Sequence, residues 1–199
     1  MINNLEQIKQ LLIYDSDDDF YHLQIIKRKK EHPELGSNSY IVKTYYITSN
    51  GYLNSKFEEI KNLCDFHNAR AYINLNRRSF EKLAFHNLKK VTDCIINKDY
   101  KAVRKSYESV CGSYMNEINK KWIIDVDTDD FNQVLWFAEK TRNVHPNPGD
   151  SKVITYIQTK NGWHVITKPF EISTYDEICK NNILKVCIHK NNPTLIYIP

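Results

Sequence analysis

The sequence predicts an α+β protein built as two joined lobes, and three observations carry that prediction. Alternation of apolar and polar residues marks several short strands. Apolar residues spaced three and four apart mark helices between them. Turn-forming residues punctuate the changes, notably Ser49-Asn50-Gly51 and Lys160-Asn161-Gly162. A length of 199 residues suits one domain or two closely joined lobes. Hydrophobic residues at 41% and aromatic residues at 12% supply a core and argue against disorder.

In the first half, residues 3–12 carry Leu5, Ile8, Leu11 and Leu12 at helical spacing. Asp15 to Asp19 break that pattern. Phe20 to Lys29 and Tyr40 to Thr48 read as strands separated by Pro33 and Gly36. Ser49-Asn50-Gly51 reads as a turn, and Ser55 with Glu58 as a capping box for a helix reaching about His67. Arg70 to Asn76 alternates as a strand and ends in Arg77-Arg78. Ser79 starts a helix to about Ile96, and another runs from Tyr100 to about Cys111.

The second half has a cleaner rhythm. Trp122 to Asp127 is a strand and Asp130 to Lys140 a helix, with Asp129 or Asp130 as its cap. Val153 to Gln158 and Trp163 to Thr167 form a hairpin across Asn161-Gly162, a pair that tolerates positive φ. A helix from Thr174 to about Cys179, a strand from Ile183 to His189 and a short strand from Thr194 to Ile198 follow. The order is β-α-β-β-α-β, the split-βαβ or ferredoxin-like arrangement. In it the first and third strands are antiparallel neighbours, and the fourth flanks the first. The expected division is an N-terminal α/β lobe over 1–115 and a second module over 116–199, forming one body.

The bulk chemistry excludes some classes. A net charge of +4 is compatible with nucleic acid without demanding it. The basic residues cluster at Lys27-Arg28-Lys29-Lys30, Arg77-Arg78, Lys89-Lys90 and Lys120-Lys121, each of which on its own reads as a solvated face. The five cysteines include no C-x-x-C pair, which argues for reduced thiols rather than a zinc site. Residues 1–6 lack the pattern of a targeting segment. No apolar run approaches the roughly 20 residues of a membrane span, so a cytoplasmic protein with no membrane partner is expected.

The chemistry-bearing pattern is Trp122-Ile123-Ile124-Asp125-Val126-Asp127. Asp125 and Asp127 alternate with apolar residues on a strand, so they share a face. Two carboxylates at a strand end suit Mg²⁺ or Mn²⁺. The topology brings them beside His164 at the start of the third strand. Acid pair and imidazole suit metal-assisted chemistry on a phosphate. Lys168, downstream of His164, and Arg77 and Arg78, after another strand end, are further candidates for phosphate contact.

Tyr72-Ile73-Asn74-Leu75-Asn76-Arg77-Arg78, then Ile123-Ile124-Asp125-Val126-Asp127, then Asn161-Gly162-Trp163-His164-Val165-Ile166 together resemble the archaeo-eukaryotic primase superfamily, the primase-polymerase group. The resemblance covers roughly residues 40–190. It implies an RRM-like catalytic module joined to an N-terminal α/β unit. It implies metal binding by Asp125 and Asp127 and phosphate contact by His164, with Arg77 and Arg78 near nucleotide or template phosphates. The implied activity is metal-dependent nucleotidyl transfer from nucleoside triphosphates onto DNA, as in phage or mobile-element replication. A separate helicase or single-strand-binding protein would serve unwinding and template capture.

Two features depart from the family pattern. The family carries a third acid on a strand after the histidine, whereas no Asp or Glu follows Glu177 here. Asn191, Asn192 or His189 then replaces that ligand, or metal binds weakly, or catalysis is lost. Gly162 stands where Ser is frequent. Two other readings therefore stand beside the first. One is a catalytically degenerate single-strand-binding module using aromatics such as Tyr156 and Trp163. The other is a metal-dependent nuclease or phosphoesterase, although His164-Val165-Ile166-Thr167 is one residue longer than a His-x-Thr motif.

Overall fold

A computed structural model describes residues 1–36, 38–113 and 119–199. It is a mixed α+β structure with two antiparallel sheets. The strands are β1 Ile2–Asn3, β2 Asp19–Lys27, β3 Tyr40–Ile47, β4 Arg70–Asn74, β5 Arg78–Ser79, β6 Trp122–Val126, β7 Val153–Gln158, β8 Trp163–Thr167, β9 Cys187–His189 and β10 Pro193–Ile198. The helices are α1 Leu5–Lys9, α2 Asn50–His67, α3 Phe80–Ile96, α4 Tyr100–Val103, α5 Ser106–Ser113, α6 Phe131–Lys140 and α7 Ile172–Cys179. The first sheet runs β1-β10-β4-β2-β3, with β5 also on β2, and the second runs β7-β8-β6-β9. No helix among the described residues is long and apolar enough to cross a membrane.

Local chemistry explains the helix starts. Ser79 caps α3, its hydroxyl accepting from the Lys82 amide, and Asp130 caps α6 by accepting from Asn132. Helix α2 begins earlier than expected. Ser49 is its cap, accepting from Tyr52, and Asn50-Gly51 form its first turn instead of a separate turn. Ser55 instead lies inside the helix and donates back to the Tyr52 carbonyl. The helix expected over 100–111 is two short pieces, α4 and α5.

The sheets share a core. Leu23, Ile25, Ala71 and Ile73 of the first sheet bury against Leu53, Phe57, Ile60 and Cys64 of α2. Ile123, Ile157 and Ile166 from one face of the second sheet join the same cluster. The opposite face of that sheet, with Ile124, Val126 and Val165, packs against Val134 and Phe137 of α6 and Tyr175 and Cys179 of α7. A third cluster of Phe20, Leu83, Val110 and Cys111 seats α3 and α5.

The division expected at 115/116 lies outside the described residues, and the expected second lobe over 116–199 needs correction at its far end. Strand β10 pairs with β4 and β1, so the chain returns to the first sheet after β9. The returning strand is almost wholly buried there: Leu195, Ile196 and Tyr197 are core residues. Residues 122–189 are thus inserted into the first lobe. Asn76 holds both crossings: its amide donates to the carbonyls of Lys121 (3.0 Å) and Lys190 (3.1 Å), and its oxygen accepts from the Lys121 amide (2.7 Å).

Candidate functional site

Strand β6 climbs out of the inter-sheet core into a cleft. Along its inner face Ile123 is buried, Asp125 is part-exposed and Asp127 is exposed, the period-two consequence of one strand leaving a core. Asp125 pairs in register with His164 on β8 and with Cys187 on β9, so all three lie on one face. His189 lies two residues along the same face of β9. The cleft is about 620 Å³. Asp125, Asp127, His164 and His189 line one side, and Arg28, just past β2, with Arg70 and Tyr72 of β4, line the other.

The central group is Asp125. Its Oδ1 lies 3.5 Å from His164 Nε2, and its Oδ2 lies 3.9 Å from His189 Nε2. The hydrogen bond to His164 holds the Asp125 carboxyl below its usual range, against the opposing effect of burial, with His164, His189 and Arg28 adding attraction. The other His164 nitrogen, Nδ1, is 2.8 Å from Oγ1 of Thr194, which is fully buried on β10. The first sheet therefore fixes the ring that the second sheet carries.

Gly162 holds the acid strand end against the β7–β8 hairpin. A Cβ there would come 2.1 Å from the Val126 carbonyl oxygen and 2.7 Å from the Thr128 amide. Its value is close approach rather than the positive φ expected of an Asn-Gly turn: the described positive-φ glycines are Gly36 and Gly149. A larger residue at this position would push the hairpin off the backbone that carries Asp127, whose Cα would lie 3.0 Å from the added carbon.

The basic candidates fall elsewhere. Arg78 is fully buried; its Nε donates to the Cys111 carbonyl at 2.5 Å and its Nη1 to the Asn76 carbonyl at 3.0 Å. Burial lowers its pKa. Arg77 pairs with Asp15 (2.6 Å) and Asp19 (3.1 Å). Neither lines the cleft. Lys168 lies just past the end of β8, where Thr167 pairs with Trp122, roughly 13 Å of extended chain from His164. Phosphate contact by these three is therefore corrected to structural roles for Arg77 and Arg78 and a remote, exposed position for Lys168.

The reason is strand direction. Strand β4 is antiparallel to β2, and its first residue Arg70 pairs with Ile26. The cleft lies at that edge, beside the 27–30 cluster. The far end of β4, with Arg77-Arg78, lies by Asp19 and Phe20. The basic residues at the cleft are Arg28, Lys30, Arg70 and Lys160. Of these, only the 27–30 cluster is conspicuous in the sequence.

Among the described residues no three His, Cys, Asp or Glu side chains form a ready-made metal cage. Mg²⁺, however, commonly takes one or two protein carboxylates and completes its shell with water and substrate phosphates. Asp125 and Asp127 supply that number at the cleft, so the donor set fits one hard cation brought in with phosphates. It does not fit a second. On β9 the Asp125 carboxylate faces Cys187 in register and the His189 imidazole at 3.9 Å, neither of them an acid, and Asn191 instead donates to the Gly112 carbonyl at 3.2 Å. Asn192 reaches the cleft as a neutral group. No family model, no curated protein and no solved structure matches this chain.

Proposed function

We propose that this chain is a primase-polymerase-like nucleotidyltransferase that holds a nucleoside triphosphate in the inter-sheet cleft and adds it to a DNA primer on a template. The observation that carries the reading is the meeting of Asp125, Asp127 and His164 in one cleft with a cationic opposite wall. The order β7-β8-β6-β9, with α6 and α7 on one face, supports reading residues 122–189 as an RRM-like module of ferredoxin-like order.

In the proposed step the primer 3′-oxygen bonds to the α-phosphorus and the bond to the bridging oxygen breaks. Pyrophosphate leaves and the hydroxyl proton passes to water. Mg²⁺ or Mn²⁺ on Asp125 and Asp127 would supply neutralisation of charge on the phosphate oxygens. Asp125 stays ionised because His164 and His189 face it. His164 meets the phosphates with a ring already oriented by Thr194, which reduces the ordering needed on binding. A separate helicase or single-strand-binding protein would open and present the template.

Primer extension with Mn²⁺ tests this reading. Wild type is expected to lengthen the primer, and Asp125→Asn and Asp127→Asn to lose that activity at least a hundredfold. A second reading, a degenerate single-strand-binding module, is favoured by His189 on β9, where the family carries its third acid. It would show as strand binding unchanged in both variants with no extension. Against it, Tyr156 and Trp163 pack on Phe131 of α6, with ring centroids 5.4 and 4.8 Å away, and so are not open stacking platforms. Strand shortening without nucleotides in the same assay would mark a nuclease instead.

A further inference from the structure

At the mouth of the cleft one carboxylate bridges the two sheets. Glu31 follows β2, and its Oε1 accepts from Arg70 of β4 and, at 2.5 Å, from Lys160 of the β7–β8 hairpin. Guanidinium and ammonium groups that bind a carboxylate oxygen also bind phosphate oxygens, through the same charge-assisted hydrogen bonds. Arg70 has only 7% of its side chain exposed, and its Nε has no hydrogen-bond partner. A buried guanidinium needs an anion. Arg28 stands beside it, with both arginines reaching the Tyr72 hydroxyl at 3.4 Å.

We propose that Arg28, Arg70 and Lys160 form an anion subsite for the phosphate tail of a nucleoside triphosphate, and that Glu31 fills this subsite until the ligand displaces it. The inference rests on the nucleotide reading above and adds to it a built-in competitor. Only the Glu31 side chain has to move. The backbone beside it is pinned, because the Glu31 and His32 amides both donate to the Arg28 carbonyl at 3.0 Å. The buried His32 ring also bonds the Asn68 carbonyl at 2.8 Å. The lysine and arginine bonds keep Glu31 ionised despite the opposing effect of its partial burial, so it competes as a full charge at neutral pH. A site closed by its own carboxylate for all but about a tenth of the time binds about tenfold more weakly than the open site.

Isothermal titration with inorganic tripolyphosphate, in chelator and without divalent cation, isolates this subsite from Asp125 and Asp127. Glu31→Gln is expected to bind tripolyphosphate about tenfold more tightly than wild type. Adding Arg70→Gln is expected to remove that gain. Equal or weaker binding by Glu31→Gln would show that the carboxylate merely neutralises Arg70, and would overturn the proposal. A gain that survives Arg70→Gln would overturn it as well. If Glu31→Gln does not fold, Glu31→Asp keeps the charge and shortens the reach; a gain of several fold supports displacement and unchanged affinity refutes it. A gain seen with a 5′-hydroxyl single strand but not with tripolyphosphate would assign the subsite to a nucleic-acid backbone and overturn the triphosphate assignment. The nucleotide reading fails separately, if Asp125→Asn extends primers as well as wild type while the Glu31→Gln gain stands.

Discussion

Two basic regions flank strand β4, and they have opposite fates. At its end, Arg78 is sealed inside the protein on backbone carbonyls, and Arg77 is neutralised by Asp15 and Asp19. At its start, Arg70 and the neighbouring Arg28 line a cleft that carries acids and imidazoles on its other wall. Both regions read as basic in the sequence. What separates them is the partner each cation finds: carbonyls and nearby carboxylates make a structural arginine, whereas Arg70 at the cleft shares one carboxylate with Lys160 beside open space, where we propose a ligand binds.

The sharpest way to break this contrast is to remove each arginine. Arg78→Ala is expected to cost about 3 kcal/mol in a denaturant titration, because it empties a fully buried site and strands two carbonyls. Nucleotide affinity of the protein that remains folded should stay within twofold. Arg28→Ala should do the reverse: stability within about 0.5 kcal/mol of wild type, and nucleotide affinity reduced about tenfold by titration. If the two variants behave alike, the distinction between structural and ligand-facing cations is wrong.

Gly162→Ala comes next in size. Its added carbon meets backbone 2.1 Å away, so the hairpin must shift off the β6 end. A loss of about 2 kcal/mol and a larger loss of primer extension are expected, the second because the backbone carrying Asp127 is displaced. A smaller effect should appear in acid. The Asp125 carboxyl is held below its ordinary value of 3.8, so its stabilising contribution is fully present above that pH and fades as pH falls through the lowered value. Asp125→Asn should therefore flatten the part of the acid unfolding curve below about pH 4. Least disruptive is thiol labelling. Cys187 is exposed while the other four cysteines are buried, with Cys64 pushed up to about 12 and Cys111 to about 11 by burial. A native-state reagent at pH 8 should modify Cys187 alone. Cys187 lies opposite Asp125, so bound nucleotide should slow its labelling.

Much of the site was legible because it depends on short-range rules. Alternation puts Asp125 and Asp127 on one face, and the order of elements puts His164 beside them, as the register records. Ser79 and Asp130 announce their helices through capping chemistry. Pairing across long separations was not legible. Which end of β4 meets the cleft depends on its antiparallel register with β2, so Arg70 looked unremarkable and Arg77-Arg78 looked functional. The Ser49-Asn50-Gly51 stretch has turn composition, yet the Asn50 side chain donates to the Lys9 carbonyl at 3.3 Å and the segment joins α2. The role of Gly162 depends on a neighbour 36 positions away, Val126, which no local pattern records.

Asn76, two residues past the end of β4, has a mechanical meaning. Residues 122–189 leave the first lobe at Lys121 and rejoin it at Lys190, and one side-chain amide grips both points. An insert attached through adjacent stems depends on whatever holds those stems side by side. Losing that one side chain would release both stems at once, whereas the bonds from His164 to Thr194 and from Lys160 to Glu31 would still tie the two cleft walls together.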